Sequence, residues 1–330
     1  MEKIKYQVCI RCYTYNQSQY ILDALNSFVN QKTNFPYVIV VVDDASTDGE
    51  PEIIRNFVDN QFSINDQTVA YSRDTEYANI IYAQHSNNKN CYIAAVLLKQ
   101  NLYKEKDKKS EIVDEWRSQS KYEAICEGDD WWISDNKIQK QFDVLESHPE
   151  IDMCACGAIR MKEGKNIGSI QPSKEERILS VEETILGGGG FLATNSLMSR
   201  VTLYNDKYKF WKKIGLDFFY QIHGSLRGGI YYIPGCMVAY RVSATGSWSS
   251  SMKKNKGEHF FHIAKVQETL NLLNEETYFK YDDTIKRKLL KNYFQMFVLG
   301  FSNNLFREAF KETPFLGKIR IMYKITKNIF

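Results

Sequence analysis

Residues 37 to 42 read YVIVVV, six apolar and mostly β-branched residues in succession. A run that short and that continuously apolar fits a strand buried on both faces, because a half-exposed strand alternates with polar residues. Its flanks fix the architecture. Gln7 to Ile10 is a shorter apolar strand, and from Ser18 onward Ile21, Ala24, Leu25, Phe28 and Val29 recur at the helical period. After YVIVVV comes DDASTDGEPEIIRNF, with Pro51 suited to a first helical turn and Ile53, Ile54, Phe57 and Val58 on one face. Strand, helix, strand, helix in that order implies a doubly wound α/β sheet with right-handed crossovers. Ligands of such sheets sit at the carboxyl ends of the strands, which is where Asp43 and Asp44 stand.

The pattern predicts a helix over Tyr92 to Leu102, then a charged stretch of mixed sign over 103 to 121 that reads as a solvated helix extension or loop. Tyr122 to Cys126 is a strand whose carboxyl end is the acidic run Glu127, Asp129, Asp130, followed by Trp131 and Trp132. A helix capped near Ser134 carries Ile138, Phe142 and Leu145 on one face. IDMCACGAIR is a further strand, GGGG at 187 to 190 a flexible connection, and YYIPGCMVAYRV two short strands about Pro234 and Gly235. From about 255 the pattern is helical to the end.

Bulk properties narrow the function. Forty-three basic against 40 acidic residues leave a net charge of +3, which argues against nucleic acid as a partner. The start, MEKIKYQVCI, runs from lysines into a strand without a long apolar segment, and the 7 Cys are scattered, so the expected setting is cytoplasmic and reducing. Cys9 with Cys12 and Cys154 with Cys156 read as core packing rather than a zinc site.

The chemistry lies in the carboxylates. Ionised acids beside a buried strand are costly unless paired or bound to a cation. Two acidic clusters after two parallel strands share one sheet edge, and hard oxygen donors in that number suit Mg2+ or Mn2+ held together with substrate phosphates. A nucleoside diphosphate is the economical ligand. No G-x-x-x-x-G-K-[ST] occurs, nor a G-x-G-x-x-G after the first strand, where RCYTYNQS stands instead. VVDDASTD fits the aspartyl-phosphate loop of haloacid-dehalogenase-like phosphatases poorly.

RCYTYNQSQYILDALNSFVNQ, VVVDDASTDG and YEAICEGDDWWISDNKIQKQ, in that order, resemble the bacterial glycosyltransferases of family 2 with the GT-A fold, and the resemblance continues through FLATNSLMSR, GLDFFYQIHGSLRGGIYYIPGCMVAYRV and TGSWSS. It covers roughly residues 4 to 250. It implies a mixed, mainly parallel sheet flanked by helices over 1–250, with a helical C-terminal extension over 251–330. It further implies that Tyr13, Tyr15 and Asp44 line the nucleotide-base pocket with Asp43 supporting the turn. Asp129 would bind the metal, Glu127 would lie near the ribose or metal, and Asp130 would line the nucleotide site or orient it. Asp217 matches the catalytic base. Asn195 and Ser196 would face sugar or acceptor, Trp131 or Trp132 would stack on an acceptor sugar, Trp248 would close over the site, and Arg241 would contact the diphosphate. Two positions depart from the family: Glu127 replaces the commoner Asp, and Ser243 stands where the family's Y-R-x-H motif has His.

The implied activity is inverting, metal-dependent transfer of a sugar from a nucleotide-diphosphate sugar, a UDP-sugar first, to a glycan or lipid-linked acceptor in surface polysaccharide synthesis such as capsule or lipopolysaccharide. A nucleotide-sugar-binding protein without turnover and a metal-dependent phosphohydrolase are the alternatives. Arg307 to Phe330 carries six basic residues against Glu308 and Glu312, interleaved with apolar ones. Such a helix suits the inner face of the membrane, a packed position on the catalytic domain, or a dimer contact.

Overall fold

The computed structural model describes residues 4–244 and 256–302. Among the described residues twelve strands form one sheet in the order β10-β12-β8-β11-β6-β1-β2-β5-β4-β3, where β10 is Arg177–Leu179, with β7 (Trp131–Trp132) on β12 and β9 (Lys165–Ile170) on β8. Its centre is four parallel strands: β6 (Ser120–Ile125), β1 (Tyr6–Thr14), β2 (Tyr37–Asp43) and β5 (Cys91–Leu98). β3 (Ala70–Asp74) and β4 (Ala78–Gln84) add antiparallel strands at one end. At the other end β11 (Met198–Arg200) pairs antiparallel with both β6 and β8 (Met153–Lys162), and β12 (Ile230–Arg241) runs parallel to β8.

The two-sided burial of YVIVVV is visible in the packing. Tyr37, Ile39 and Val41 join one core cluster, while Val38, Val40 and Val42 join the other. β5 divides the same way, with Ile93 and Ala95 on one face and Ala94 and Val96 on the opposite one. Helices α1 (Ile21–Val29), α2 (Glu50–Gln61) and α4 (Lys137–Ser147) contribute Leu25, Ile54 and Leu145 to the first face. Helix α3 (Lys106–Arg117) covers the second with Val113 and Trp116. Each of the buried Val, Leu and Ile side chains among these contributes roughly 1.5–3 kcal/mol through burial.

Three readings of the sequence are corrected. Tyr92 to Leu102 lies largely in strand β5 rather than a helix; CYIAAVLL is continuously apolar, and the sheet takes it as a second strand buried on both faces. The charged segment after it contains α3, whose Trp116 and Val113 are buried. YYIPGCMVAYRV forms one strand with a register shift between Ile233 and Cys236, where Gly235 has φ +86°. All seven cysteines are free thiols. Among the described residues no helix is long and apolar enough to cross a membrane.

The described chain resolves into two compact units, one of residues 4–180, 190–206 and 224–244, the other of 181–189, 207–223 and 256–302. The second thus draws on two segments before residue 250. It holds α5 (Val181–Gly187), α6 (Phe210–Lys213), most of α7 (Asp217–Ser225), and the antiparallel pair α8 (Lys256–Glu276) and α9 (Asp282–Ser302). Lys288 of α9 packs beside Gly188, whose φ is +75° and where a β-carbon would lie 2.6 Å from the ammonium. Burial lowers the Lys288 pKa from 10.5 to about 8. Folding therefore opposes the charge below about pH 8, and stability should rise between about 8 and 10.5, where only the unfolded chain keeps the proton. Lys288→Met is expected to raise Tm at pH 7 and to bring no gain near pH 10. An equal gain at both values, followed by calorimetry, would refute the assignment.

Candidate active site

β1 has β2 on one side and β6 on the other, so the acidic ends of both neighbours flank the place where β1 turns out of the sheet. Thr14 is level with Asp43. Past the end of β6, the Cys126 N–H still donates to the Arg11 carbonyl at 3.0 Å and the Gly128 N–H to the Tyr13 carbonyl at 3.0 Å. The Glu127–Asp130 turn is thereby laid against the β1 turn. A β-carbon at Gly128 would overlap Thr14 Oγ1 and come within 2.7 Å of Gln17 Oε1, so only glycine permits this approach.

The β1 turn is tied down by Glu50, fully buried at the start of α2. Its carboxylate accepts from Thr14 Oγ1, from the Gln17 N–H at 2.9 Å and from Ser46 Oγ at 2.9 Å. Asp43 is also buried and accepts from the Ser46 N–H at 3.1 Å. Burial pushes both carboxyls above their ordinary range. The sequence offered one cue to Glu50: an acid in the first turn of α2, where the helix dipole favours negative charge.

Asp44 is buried with both oxygens engaged, Oδ1 by the Leu102 N–H at 2.6 Å and Oδ2 by Lys109 Nζ at 2.8 Å. The Lys109 ammonium also lies 4.9 Å from the Tyr13 ring centroid, and the Arg11 guanidinium lies 4.6 Å from it. Tyr13 is thus packed among cations, whereas Tyr15 is 47% exposed and presents an open ring. Behind them Glu123, fully buried, takes Arg11 at 3.3 Å, Arg117 at 3.5 Å and the Tyr204 hydroxyl. Lys109 and Arg117 belong to α3, whose charges pair with the sheet. Sequence reasoning missed them because alternating charge on a helix looks the same whether it faces water or an ionic partner.

On the other flank, the Arg241 N–H donates to Asp130 Oδ1 at 2.7 Å, and its guanidinium donates to the Asp129 carbonyl and pairs with Asp23 at 2.9 Å. The same guanidinium lies 4.2 Å from the Tyr20 ring centroid and 4.5 Å from that of Trp131. Arg241 is therefore committed to ion pairing and stacking that brace the acidic turn. Asp130 is buried and serves as an acceptor in that brace. Burial raises the Asp129 pKa, and burial together with the neighbouring Asp129 raises that of Asp130 well above the usual range.

Among the described residues no group of three metal-ligating side chains converges. The part-exposed Glu127 and the desolvated Asp129 nevertheless fit a cation of the Mg2+ or Mn2+ kind, which binds through one or two carboxylates and completes its shell with substrate oxygens and water.

The acceptor assignments need correction. Trp132 is buried edge-on against Phe28 and donates from Nε1 to the Asn195 carbonyl at 2.9 Å, with the Lys137 ammonium 4.1 Å from its ring. It is core, whereas Trp131 is half-buried and lies against the Arg241 guanidinium. Asn195 and Ser196 are fully buried; Asn195 Nδ2 donates to the Ala239 carbonyl at 2.7 Å and Ser196 Oγ to that of Ala193 at 2.6 Å. They hold the turn Thr194–Ser196 against the sheet, since a short polar side chain in a dry interior must use nearby backbone. Ser243 is exposed at φ +61°. Asp217 is the exposed first residue of α7, in the second compact unit. Trp248 and the basic stretch 307–330 lie outside the described residues.

The mainly parallel sheet with carboxylates at neighbouring strand ends is a GT-A fold, and the comparisons agree. Residues 10–95 match the sequence model of Glycosyl transferase family 2. It is 28% identical over 240 residues to uncharacterized proteins of Mycobacterium tuberculosis and Mycobacterium bovis, a match covering 72% of this chain and 59% of those relatives' length. Its fold is similar to that of a mannosyltransferase from Pyrobaculum calidifontis solved with GDP-Man and Mn2+ (TM-score 0.52, 11% identity, 99% of this chain and 81% of that one). It is also similar to residues 1–349 of TarS from S. aureus solved with UDP-GlcNAc (TM-score 0.51, 13% identity, 89% and 81%).

Proposed function

We propose that this chain is an inverting glycosyltransferase that moves a sugar from a nucleotide-diphosphate sugar to a hydroxyl of a glycan or lipid-linked acceptor. The setting proposed is surface polysaccharide synthesis on the cytoplasmic side of the cell membrane. One observation carries the reading: the ends of β2 and β6 bring Asp43, Asp44, Glu127 and Asp129 around the carboxyl end of β1, beside the exposed ring of Tyr15.

In this reading the base stacks on Tyr15 at the Asp44 edge, where the Lys109 pair fixes the carboxylate. Glu127 and Asp129 would hold a divalent cation, Mn2+ or Mg2+, which when bound would offset the charge of the departing diphosphate. Asp130 and Arg241 keep Asp129 in place. Asp217 takes the proton from the acceptor hydroxyl as its oxygen attacks the anomeric carbon, and a single displacement inverts that centre. The acceptor sugar stacks on Trp131. A hydrolase using paired acids would need two carboxylates on opposite sides of the sugar, with water as nucleophile.

The test is a thermal-shift series with UDP-, GDP-, CMP- and dTDP-sugars, each with and without Mn2+. One nucleotide at a hundred times its Kd should stabilise the fold by about 2.7 kcal/mol, and Mn2+ should strengthen the effect. No shift with any nucleotide would remove the basis of the proposal.

A further inference from the structure

Helices α8 and α9 form a hairpin whose connection, Thr277 to Tyr281, is built in an uncommon way. Tyr278 and Phe279 both adopt left-handed backbone, at φ 52° and 59°, a conformation that disfavours aromatic residues and suits glycine or asparagine. The turn is nevertheless well tied. The Tyr278 N–H donates to the Glu275 carbonyl at 3.0 Å, the Phe279 N–H to Asn274 at 2.8 Å and the Lys280 N–H to Thr277 at 3.1 Å. Asn274 Nδ2 donates to Asp282 Oδ1 at 2.9 Å, and Thr277 Oγ1 to the Leu273 carbonyl at 2.8 Å. The consequence is that two adjacent rings stand out from the end of the hairpin, Tyr278 at 83% exposure and Phe279 at 60%, the two largest values among the exposed large apolar side chains of the described residues.

Their surroundings suit a phospholipid headgroup layer. The Lys207 ammonium lies 5.9 Å from the Tyr278 ring centroid, and Lys280 is exposed beside it. Of the nearby acids, Glu276 is occupied by the Lys209 and Phe210 N–H groups and Asp282 by Lys286 and Asn274, which leaves Glu275 and Asp283 exposed. The tip is thus close to neutral, and its apolar rings dominate. Two rings on a convex tip fall far short of the roughly 800 Å² per partner that a stable protein interface buries. They match the way an amphipathic ring enters a membrane interface, with lysine stems extended toward phosphates.

We propose that the 277–281 tip is a membrane-interface anchor, in which the Tyr278 and Phe279 rings enter the headgroup region of a bilayer while Lys207 and Lys280 face its phosphates. The proposal stands on the second compact unit alone, and its test leaves the glycosyltransferase reading untouched.

The experiment compares the full chain with a Tyr278→Asn/Phe279→Gly variant, whose replacements favour the left-handed backbone and should leave Tm equal or higher. Partition is measured by sedimentation with vesicles of phosphatidylcholine alone and of phosphatidylcholine mixed with phosphatidylglycerol. The parent chain should bind both, and the variant should bind about 30-fold more weakly to each, from partial burial of two rings. A Phe279→Trp variant should keep the binding and shift its emission to the blue on adding vesicles. Failure of the parent chain to sediment, equal binding by the variant, absence of the emission shift, or a parent dimer that the variant dissolves would each overturn the proposal.

Discussion

Asp129→Asn is expected to lower the rate of sugar transfer about a thousandfold or more and to abolish the added thermal shift that Mn2+ gives with the nucleotide sugar. The magnitude follows from the role: offsetting charge on a leaving diphosphate is worth several kcal/mol, and each 1.4 kcal/mol is about tenfold in rate. The change should not damage the fold. The Asp129 carboxylate is desolvated and adjacent to Asp130, so its charge opposes folding; neutralising it at constant shape should leave the nucleotide-free Tm unchanged or raised. An inactive variant with unaltered or higher Tm and no Mn2+ effect supports the assignment. A variant that keeps more than about a tenth of the activity, or the full Mn2+-dependent shift, places the metal elsewhere.

Asp217→Asn tests the proposed base independently of nucleotide binding. Loss of a general base lowers rates by about a hundredfold to ten-thousandfold, so kcat should fall into that range while the thermal shift from nucleotide sugar and Mn2+ persists. Amide replaces carboxylate at an exposed first helical position, where little packing is disturbed. Retention of kcat would move the base to another residue, and simultaneous loss of nucleotide binding would mean that position 217 acts through donor binding.

These two expectations rest on different amounts of structure. The acidic strand ends could be located from sequence, because strand order and apolar continuity dictate which edge of a parallel sheet carries Asp43 and Asp129. Which acids brace and which stay accessible could not be read that way. Asp130 and Glu127 differ in the sequence only by a methylene and three positions; their roles separate because the Arg241 backbone reaches Asp130 while Glu127 stays part-exposed beside Arg11. The same holds for the tryptophans. WW in a strand-like stretch must send one ring to each face, and the neighbouring helix α1, through Phe28, decides that Trp132 is the buried one.

By itself, the sequence determined the parallel α/β core, the resemblance to family 2 glycosyltransferases and the sheet edge that carries the carboxylates, since period, order and ordered motifs are local properties of the chain. Only the tertiary structure decided that Glu50 pins the β1 turn, that Lys109 and Arg117 of a charged helix pair with Asp44 and Glu123, and that Asn195 and Ser196 are spent on the frame. The physical reason is common to all of them. A buried polar group takes whatever partner the fold brings within hydrogen-bonding distance, and for these residues that partner lies up to 65 positions away along the chain, as Asp44 and Lys109 do.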